Sequence, residues 1–255
     1  MLNREYAAGV VRALLSPKDK LLTFKVGGRR VRIRPPSFIA QYRDIFLDKE
    51  YDFRTTSAVP RILDIGANMG FSCIFFKSIY PTAQIEGFEA DPEIYAVLIR
   101  NLIDAGYPDI VIHNQAVWIN DGEMKFQPNG LGGGQISTSG SEAATVTVKT
   151  IDLKTWLQGK TFDLIKMDIE GAENSVIPHC INEIAGSPRF IFEYHSHPDE
   201  PQRLADILMM LRDHGFRVYL KTCNPLNSPL RSGQEKRGTA FDNLINVFAE
   251  RPGGQ

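Results

Sequence analysis

Arg61-Ile-Leu-Asp64-Ile-Gly66-Ala-Asn68-Met-Gly70-Phe-Ser72 reads as a strand that enters a glycine turn and leaves it as a helix. Ile62, Leu63 and Ile65 make the apolar strand. Gly66, Asn68 and Gly70 supply the turn, and Phe71, Ile74, Phe75 and Ile79 recur on one helical stripe. Gln84–Phe88 is a second apolar strand, and it ends in the acid Glu89, 19 residues after Gly70. Strand, glycine turn, helix, strand and acid form the first half of a Rossmann-like nucleotide site. Glycines let the backbone approach a ligand, and the acid accepts hydrogen bonds from both hydroxyls of a ribose.

The details of the turn narrow the ligand. A dinucleotide site uses G-x-G-x-x-G, so that a pyrophosphate can rest on the helix N-terminus. Here the middle glycine is missing, and Asp64 would place an anion beside the phosphate. That charge suits a ligand carrying positive groups, such as the ammonium and sulfonium of S-adenosylmethionine. The expected cofactor contacts are Asp64, Gly66, Asn68, Gly70, Glu89 and Ala90. Gln115 and Ala116, at the end of the strand Ile110–His113, are expected to meet the adenine.

Three segments carry a resemblance to a known family: Leu63-Asp-Ile-Gly-Ala-Asn-Met-Gly70, Phe88-Glu-Ala-Asp-Pro92 and Ile165-Lys-Met-Asp-Ile-Glu-Gly-Ala-Glu173. From about Arg43 to about Glu193 the chain resembles the FkbM family of S-adenosylmethionine-dependent methyltransferases. The resemblance implies the class I methyltransferase fold, with a seven-stranded sheet, and O-methylation in polyketide or glycan biosynthesis.

Composition sets wider bounds. The 255 residues are 43% hydrophobic and 23% charged, enough to bury a full core, with a formal net charge of −1. No apolar run approaches the ~20 residues of a membrane span. Met1–Ser16 lacks the features of a secretory leader, and Cys73, Cys180 and Cys223 are odd in number and far apart. Reduced thiols in a cytoplasmic protein are the expectation. Met1–Arg34 carries nine Lys/Arg against two acids. Arg30, Arg32 and Arg34 alternate with Val31 and Ile33, which favours a solvated strand face over a nucleic-acid arm.

The remaining pattern is that of a doubly wound α/β sheet. Residues 1–58 form an extension: a helix over Leu2–Leu15, a hairpin on Gly27-Gly28, a break at Pro35-Pro36, and a helix capped by Ser37. Residues 59–255 form the main domain. Its seven strands begin near residues 61, 84, 110, 162, 189, 217 and 244, the last two joined without a helix and so antiparallel. Further short elements are a strand over Glu123–Gln127, another over Thr145–Val148 and a helix starting near Asp152. The glycine- and serine-rich run Pro128–Ser141 and the polar loop Lys221–Asn243 are expected to border the acceptor site. Lys166 lies in a central strand and needs a buried carboxylate partner, for which Glu193 is the candidate.

Transfer of a methyl group to a hydroxyl requires an aligned acceptor and an acceptor for the hydroxyl proton. Asp168 and Glu170, after the fourth strand, and Glu193 and His195, at the end of the fifth, are the catalytic candidates. Asp168 also serves the methionine end of the cofactor. A histidine base oriented by carboxylates is preferred to Mg²⁺ or Mn²⁺, because no tight ligand spacing on one element enforces coordination. The expected partner is a small-molecule or glycan acceptor. RNA methylation through the basic arm and a non-catalytic nucleotide-binding scaffold are the alternatives.

Overall fold

The computed structural model of the chain describes residues 2–127, 135–136, 145–197, 200–223, 241 and 243–253. Most of Pro128–Ser141 and of Lys221–Asn243 lies outside the described residues.

The chain begins with helix α1 (Leu2–Leu14) and the hairpin β1 (Leu22–Val26) and β2 (Arg29–Ile33). Gly27 and Gly28 both have positive φ, as a two-residue hairpin turn requires. Val31 and Ile33 are buried while Arg30 and Arg32 face out, the expected strand alternation. Pro35-Pro36 does not break the chain. Helix α2 (Pro35–Gln41) starts on these prolines, whose missing N–H groups are not needed in a first turn, and Ser37 lies inside the helix. It runs directly into a π-helical turn, Tyr42–Leu47.

The main domain then alternates strand and helix: β3 (Arg61–Ile65), α3 (Phe71–Ile79), β4 (Gln84–Phe88), α4 (Pro92–Ala105) and β5 (Val111–His113). Asp91 caps α4 by accepting N–H bonds from Glu93 and Ile94, with Pro92 at the first helical position. A small second sheet follows, built from β6 (Ala116–Trp118), β7 (Gly122–Gln127), β8 (Gln135–Ile136) and β9 (Val146–Asp152), in the order β6-β9-β7-β8. Helix α5 (Leu153–Leu157), capped by Asp152, leads to β10 (Leu164–Met167), α6 (Glu173–Ile184), β11 (Arg189–Ser196), α7 (Leu204–Asp213), β12 (Arg217–Thr222) and β13 (Asn243–Glu250). Sequence patterning detected β7 and part of β9, but read Ala116–Trp118 as loop.

The main sheet has seven strands in the order β12-β13-β11-β10-β3-β4-β5. β5, β4, β3, β10 and β11 are parallel, and β13 runs antiparallel between β11 and β12. This is the expected doubly wound, Rossmann-like α/β sheet. Strand order reverses between β3 and β10, the place where such sheets open a crevice beyond the carboxyl ends of their strands. β10 is buried at every position, as a central parallel strand should be.

Two hydrophobic clusters fill the faces. Ile62 and Leu164 join α3, α4 and the extension on one side; Leu63, Ile65, Ile165 and Met167 join α5, α6 and α7 on the other. Residues 2–47 therefore share a core with the main domain: Phe38, Tyr42 and Phe46 pack in the same cluster as Phe71 and Phe75. Asn101 of α4, fully buried, tightens that junction. Its carbonyl accepts from Arg32 N at 2.8 Å, and its amide donates to Arg32 O and to Met69 O, each at 2.9 Å.

Lys166 has a different partner from the one expected. It sits directly opposite Asp64 in the β10–β3 register, and its ammonium lies 3.2 Å from the Asp64 carboxylate. It also donates to Gly66 O at 2.7 Å. Burial alone would lower the lysine pKa; Asp64 outweighs it and holds Lys166 protonated. A central strand has two neighbours, and the charge partner came from the other one.

Candidate functional site

Gly66, Asn68 and Gly70 all have positive φ (80°, 49° and 91°), so the turn folds back sharply between β3 and α3. A Cβ on Gly66 would collide with the carbonyl of Asp168, and one on Gly70 would press into Leu98. Gly66 N and Ala67 N donate to Phe88 O, and Asp168 N donates to Ile65 O, so the ends of β10, β3 and β4 are tied together.

A cleft opens over these ends. Gly66, Asn68, Glu89, Ala90, Gln115, Ala116, Asp168 and Glu170 all line it, with Phe126 of the small sheet as a further wall. Glu89 is 8% exposed. One carboxylate oxygen accepts from Asn68 N and the other from Asp91 N, both at 2.9 Å. Burial raises its pKa to about 7, against the pull of those two N–H groups.

Two expected cofactor contacts lie elsewhere. Asp64 is fully buried: it accepts from the Ser72 hydroxyl and the Cys73 thiol and pairs with Lys166. Its charge is answered inside the fold. Gly70 lies against Leu98 and Leu102, where it brings α4 close.

On the other side of Gly66, Asn68 and Asp168 lies a second space. Lys166, Asp168, Glu193, Lys221 and Asn246 line one part of it, and Arg43, Asp44, Asp48, Glu50 and Tyr51 line the rest. Sequence reading missed this second group. Residues 41–51 carry no motif, and nothing local signals that the chain returns over the sheet here.

Between the two spaces the four catalytic candidates come together. His195 is 3% exposed. Its Nδ1 is 3.2 Å from Glu193 O and 3.3 Å from the carboxylate of Glu173. Its Nε2 lies 3.5 Å from Glu170 and 3.9 Å from Asp168. Glu173, fully buried, accepts N–H bonds from Ile169 and Gly171. Burial would depress the histidine pKa, but Glu173, Asp168 and Glu170 reverse this and raise it to about 10. Burial, then Asp168, pushes both Glu170 and Glu193 up. Glu170 itself adopts φ +56°, an uncommon conformation for a residue with a side chain. It turns the chain between β10 and α6, and Phe241 closes the far side against the His195 ring.

Among the described residues, no helix is long and apolar enough to cross a membrane. The three cysteines are free; Cys73 and Cys180 are buried and Cys223 is exposed.

Comparison with known proteins agrees with this architecture. The solved structure of a SAM-dependent methyltransferase from Agrobacterium tumefaciens superposes with a TM-score of 0.50 at 11% identity, covering 90% of this chain and 70% of that one. The 31-O-demethyl-FK506 methyltransferase FkbM of Streptomyces tacrolimicus is 25% identical over 236 residues, 76% of this chain and 85% of that protein. The 2-O-methyltransferase NoeI of Sinorhizobium fredii is 29% identical over 205 residues, 72% and 78% of the respective chains. Methyltransferase sdnD of Sordaria araneosa reaches 44%, over 61 residues that span 24% of each protein. The family model described as the methyltransferase FkbM domain matches residues 64–218, from the buried aspartate of β3 to β12, and on that match the chain belongs to the FkbM methyltransferase family.

Proposed function

We propose that the chain uses S-adenosylmethionine to methylate a hydroxyl group of a small-molecule or glycan acceptor. The observation that carries this reading is the position of Asp168, which lines both spaces, with Glu170, Glu193 and His195 beside it. The cleft over the strand ends and the polar second space meet there.

The residues present fit the cofactor. The glycine at position 66 lets the turn pack against the Asp168 carbonyl, which brings β3 and β10 together under the cleft, and Glu89 offers two carboxylate oxygens already oriented by backbone N–H groups. Glu89 would hold the ribose, Gln115, Ala116 and Phe126 would flank the adenine, and Asp168 would face the methionine ammonium. When bound, the cofactor supplies an electrophilic methyl carbon on a sulfonium. The chain's own residues hold the acceptor oxygen in line and take up the hydroxyl proton, and the group around His195 is where that proton would go. Asp64 drops out of the cofactor shell and anchors Lys166, and through it Gly66 O.

The test has two parts. Calorimetry should show one S-adenosylhomocysteine per chain and no comparable binding of NADH; NADH binding more tightly would overturn the cofactor reading. His195→Ala should lower methyl transfer ~10²–10⁴-fold while leaving S-adenosylhomocysteine affinity nearly unchanged. An unchanged turnover would remove His195 from the chemistry.

A further inference from the structure

We propose that Asp168, Glu193 and His195 bind a divalent cation, Mn²⁺ or Mg²⁺, at the boundary between the two spaces. The part of this inference that concerns the acceptor rests on the methyltransferase reading above; the binding of the ion does not.

The fold brings the three donors together by register. Met167 of β10 pairs with Phe192 of β11. Asp168 follows the last residue of β10 and Glu193 follows Phe192 within β11, so the two stand side by side where β10 ends. His195 is two residues further along β11 and on the same face as Glu193. One donor atom from each of the three falls within 4.8 Å of the others. The imidazole Nε2 and the Asp168 oxygen stay 3.9 Å apart, longer than a hydrogen bond. An imidazole and a carboxylate with nothing between them would close to about 2.8 Å. Six-coordinate ligands at ~2.1 Å from a common ion stand about 3–4 Å apart, and the 3.9 Å between His195 and Asp168 falls in that range.

The histidine supplies an independent observation. Its ring is 3% exposed, and its Nδ1 faces the Glu173 carboxylate and the Glu193 carbonyl. Glu173 is in turn locked by the N–H groups of Ile169 and Gly171. A carboxylate behind a histidine in this way holds a proton on Nδ1, so that an arriving cation displaces the Nε2 proton and takes its lone pair, an arrangement typical of metal-bound imidazoles. Here Nε2 points at carboxylate oxygens of Asp168 and Glu170, with no hydrogen bond made to either among the described residues.

Charge points the same way. Asp168, Glu170, Glu173 and Glu193 surround one imidazole, and the nearest lysine, Lys166, lies 4.0 Å from Asp168 with its closer contact to Asp64. A cation would neutralise that excess in a site shielded from water. Two carboxylates and one imidazole favour Mn²⁺ or Mg²⁺, and the imidazole tips the balance to Mn²⁺. Because Asp168 and Glu193 also line the second space, the ion would keep faces open for acceptor oxygens. Such an ion acidifies a bound hydroxyl. The O–H bond then breaks with its proton passing to Glu170, while an O–CH₃ bond forms and the C–S bond of the cofactor breaks.

The test uses the full chain, stripped with EDTA and dialysed. Mn²⁺ is titrated in, and the free ion is followed by its electron paramagnetic resonance signal. The wild type should take up one Mn²⁺ per chain, displaced by excess Mg²⁺. Glu193→Gln and His195→Asn should abolish that uptake, and Glu173→Gln, which meets the ring at its far nitrogen and also holds the Ile169 and Gly171 N–H groups, should weaken it ~10–100-fold. Circular dichroism checks that each variant is folded, and the wild-type titration decides the question if none is. Failure of the wild type to bind, or unchanged binding by both Glu193→Gln and His195→Asn, overturns the proposal and leaves a metal-free histidine. Calorimetry with S-adenosylhomocysteine on the stripped protein separates the two readings. Cofactor binding without Mn²⁺ uptake sinks the metal alone; Mn²⁺ uptake without cofactor binding sinks the methyltransferase reading.

Discussion

Replacing Glu89 by Gln changes two atoms' worth of chemistry and almost no volume, so its effect can be worked from the contacts. In the native cleft each carboxylate oxygen receives one backbone N–H, from Asn68 and from Asp91. Each therefore keeps a lone pair for a ribose hydroxyl. In the variant one oxygen becomes an NH₂ group, which faces an N–H donor and cannot accept from the ribose. One charge-assisted hydrogen bond to the ligand is lost and the other becomes neutral, together about 2 kcal/mol, or ~30-fold in dissociation constant. Protonation does to the wild type what the substitution does permanently. The Glu89 pKa lies near 7, and a ligand that prefers the ionised form gains affinity as pH rises through that value. Calorimetry with S-adenosylhomocysteine should find the ~30-fold gap at pH 8.5, narrowing as pH falls below 7. A gap that is absent at high pH, or that stays constant down to pH 5.5, would refute the assignment of Glu89 to the ribose.

Three further outcomes are expected. In the ligand-free protein, Glu89 has a folded pKa of about 7 against an ordinary 4.5, so the fold holds its proton more tightly than the unfolded chain. Its stabilising effect is full below the unfolded value and is lost as pH rises through about 7, roughly 3 kcal/mol in all, and Glu89→Gln should flatten that slope in urea melts across pH 4–8. Gly66→Ala combines a φ of +80° with a Cβ that meets Asp168 O, so thermal stability and S-adenosylhomocysteine binding should both fall, with ~1–3 kcal/mol from backbone strain alone. Binding unchanged by Gly66→Ala would show that the turn has room to spare. Lys166→Met strands the buried Asp64 carboxylate and should cost about 3–5 kcal/mol in denaturant unfolding, whereas Asp64→Asn with Lys166→Met should recover much of it. A double variant no more stable than the single one would deny the pairing.

The sheet and the glycine turn beneath the cleft were legible because their signals are local. The positive-φ glycines, the caps at Asp91 and Asp152 and the apolar runs of β3, β4 and β10 each act within a few residues. The assignment of Asp64 failed for a reason of symmetry. A strand buried on both faces has no polar face to reveal its orientation, so a charge within it can face the ligand or a neighbouring strand. Asp64 faces Lys166 across the β3–β10 pair, whereas on β11 the residue opposite Lys166 is Ile191, two positions before Glu193. The role of Glu173 was hidden for another reason. An acid in the first turn of a helix is ordinary, and only the return of β11 brings His195 against it. The wall contributed by residues 41–51 depends on how the extension packs, through Phe38, Tyr42 and Phe46, and no spacing in that segment encodes it.

Asn101 has a practical consequence. A single amide grips the outer strand of the hairpin with two bonds and the glycine turn with a third. Cutting the chain near residue 58 would leave that amide holding only Met69 O, and would strip the aromatic layer from α3. The turn that shapes the cleft would lose its brace although the glycine turn, Phe88–Pro92 and Ile165–Glu173 all remained in the fragment. A minimal catalytic core cannot therefore be trimmed from this chain at the motif boundary, and ligand titrations on such a fragment would measure the damage to the turn rather than the affinity of the site.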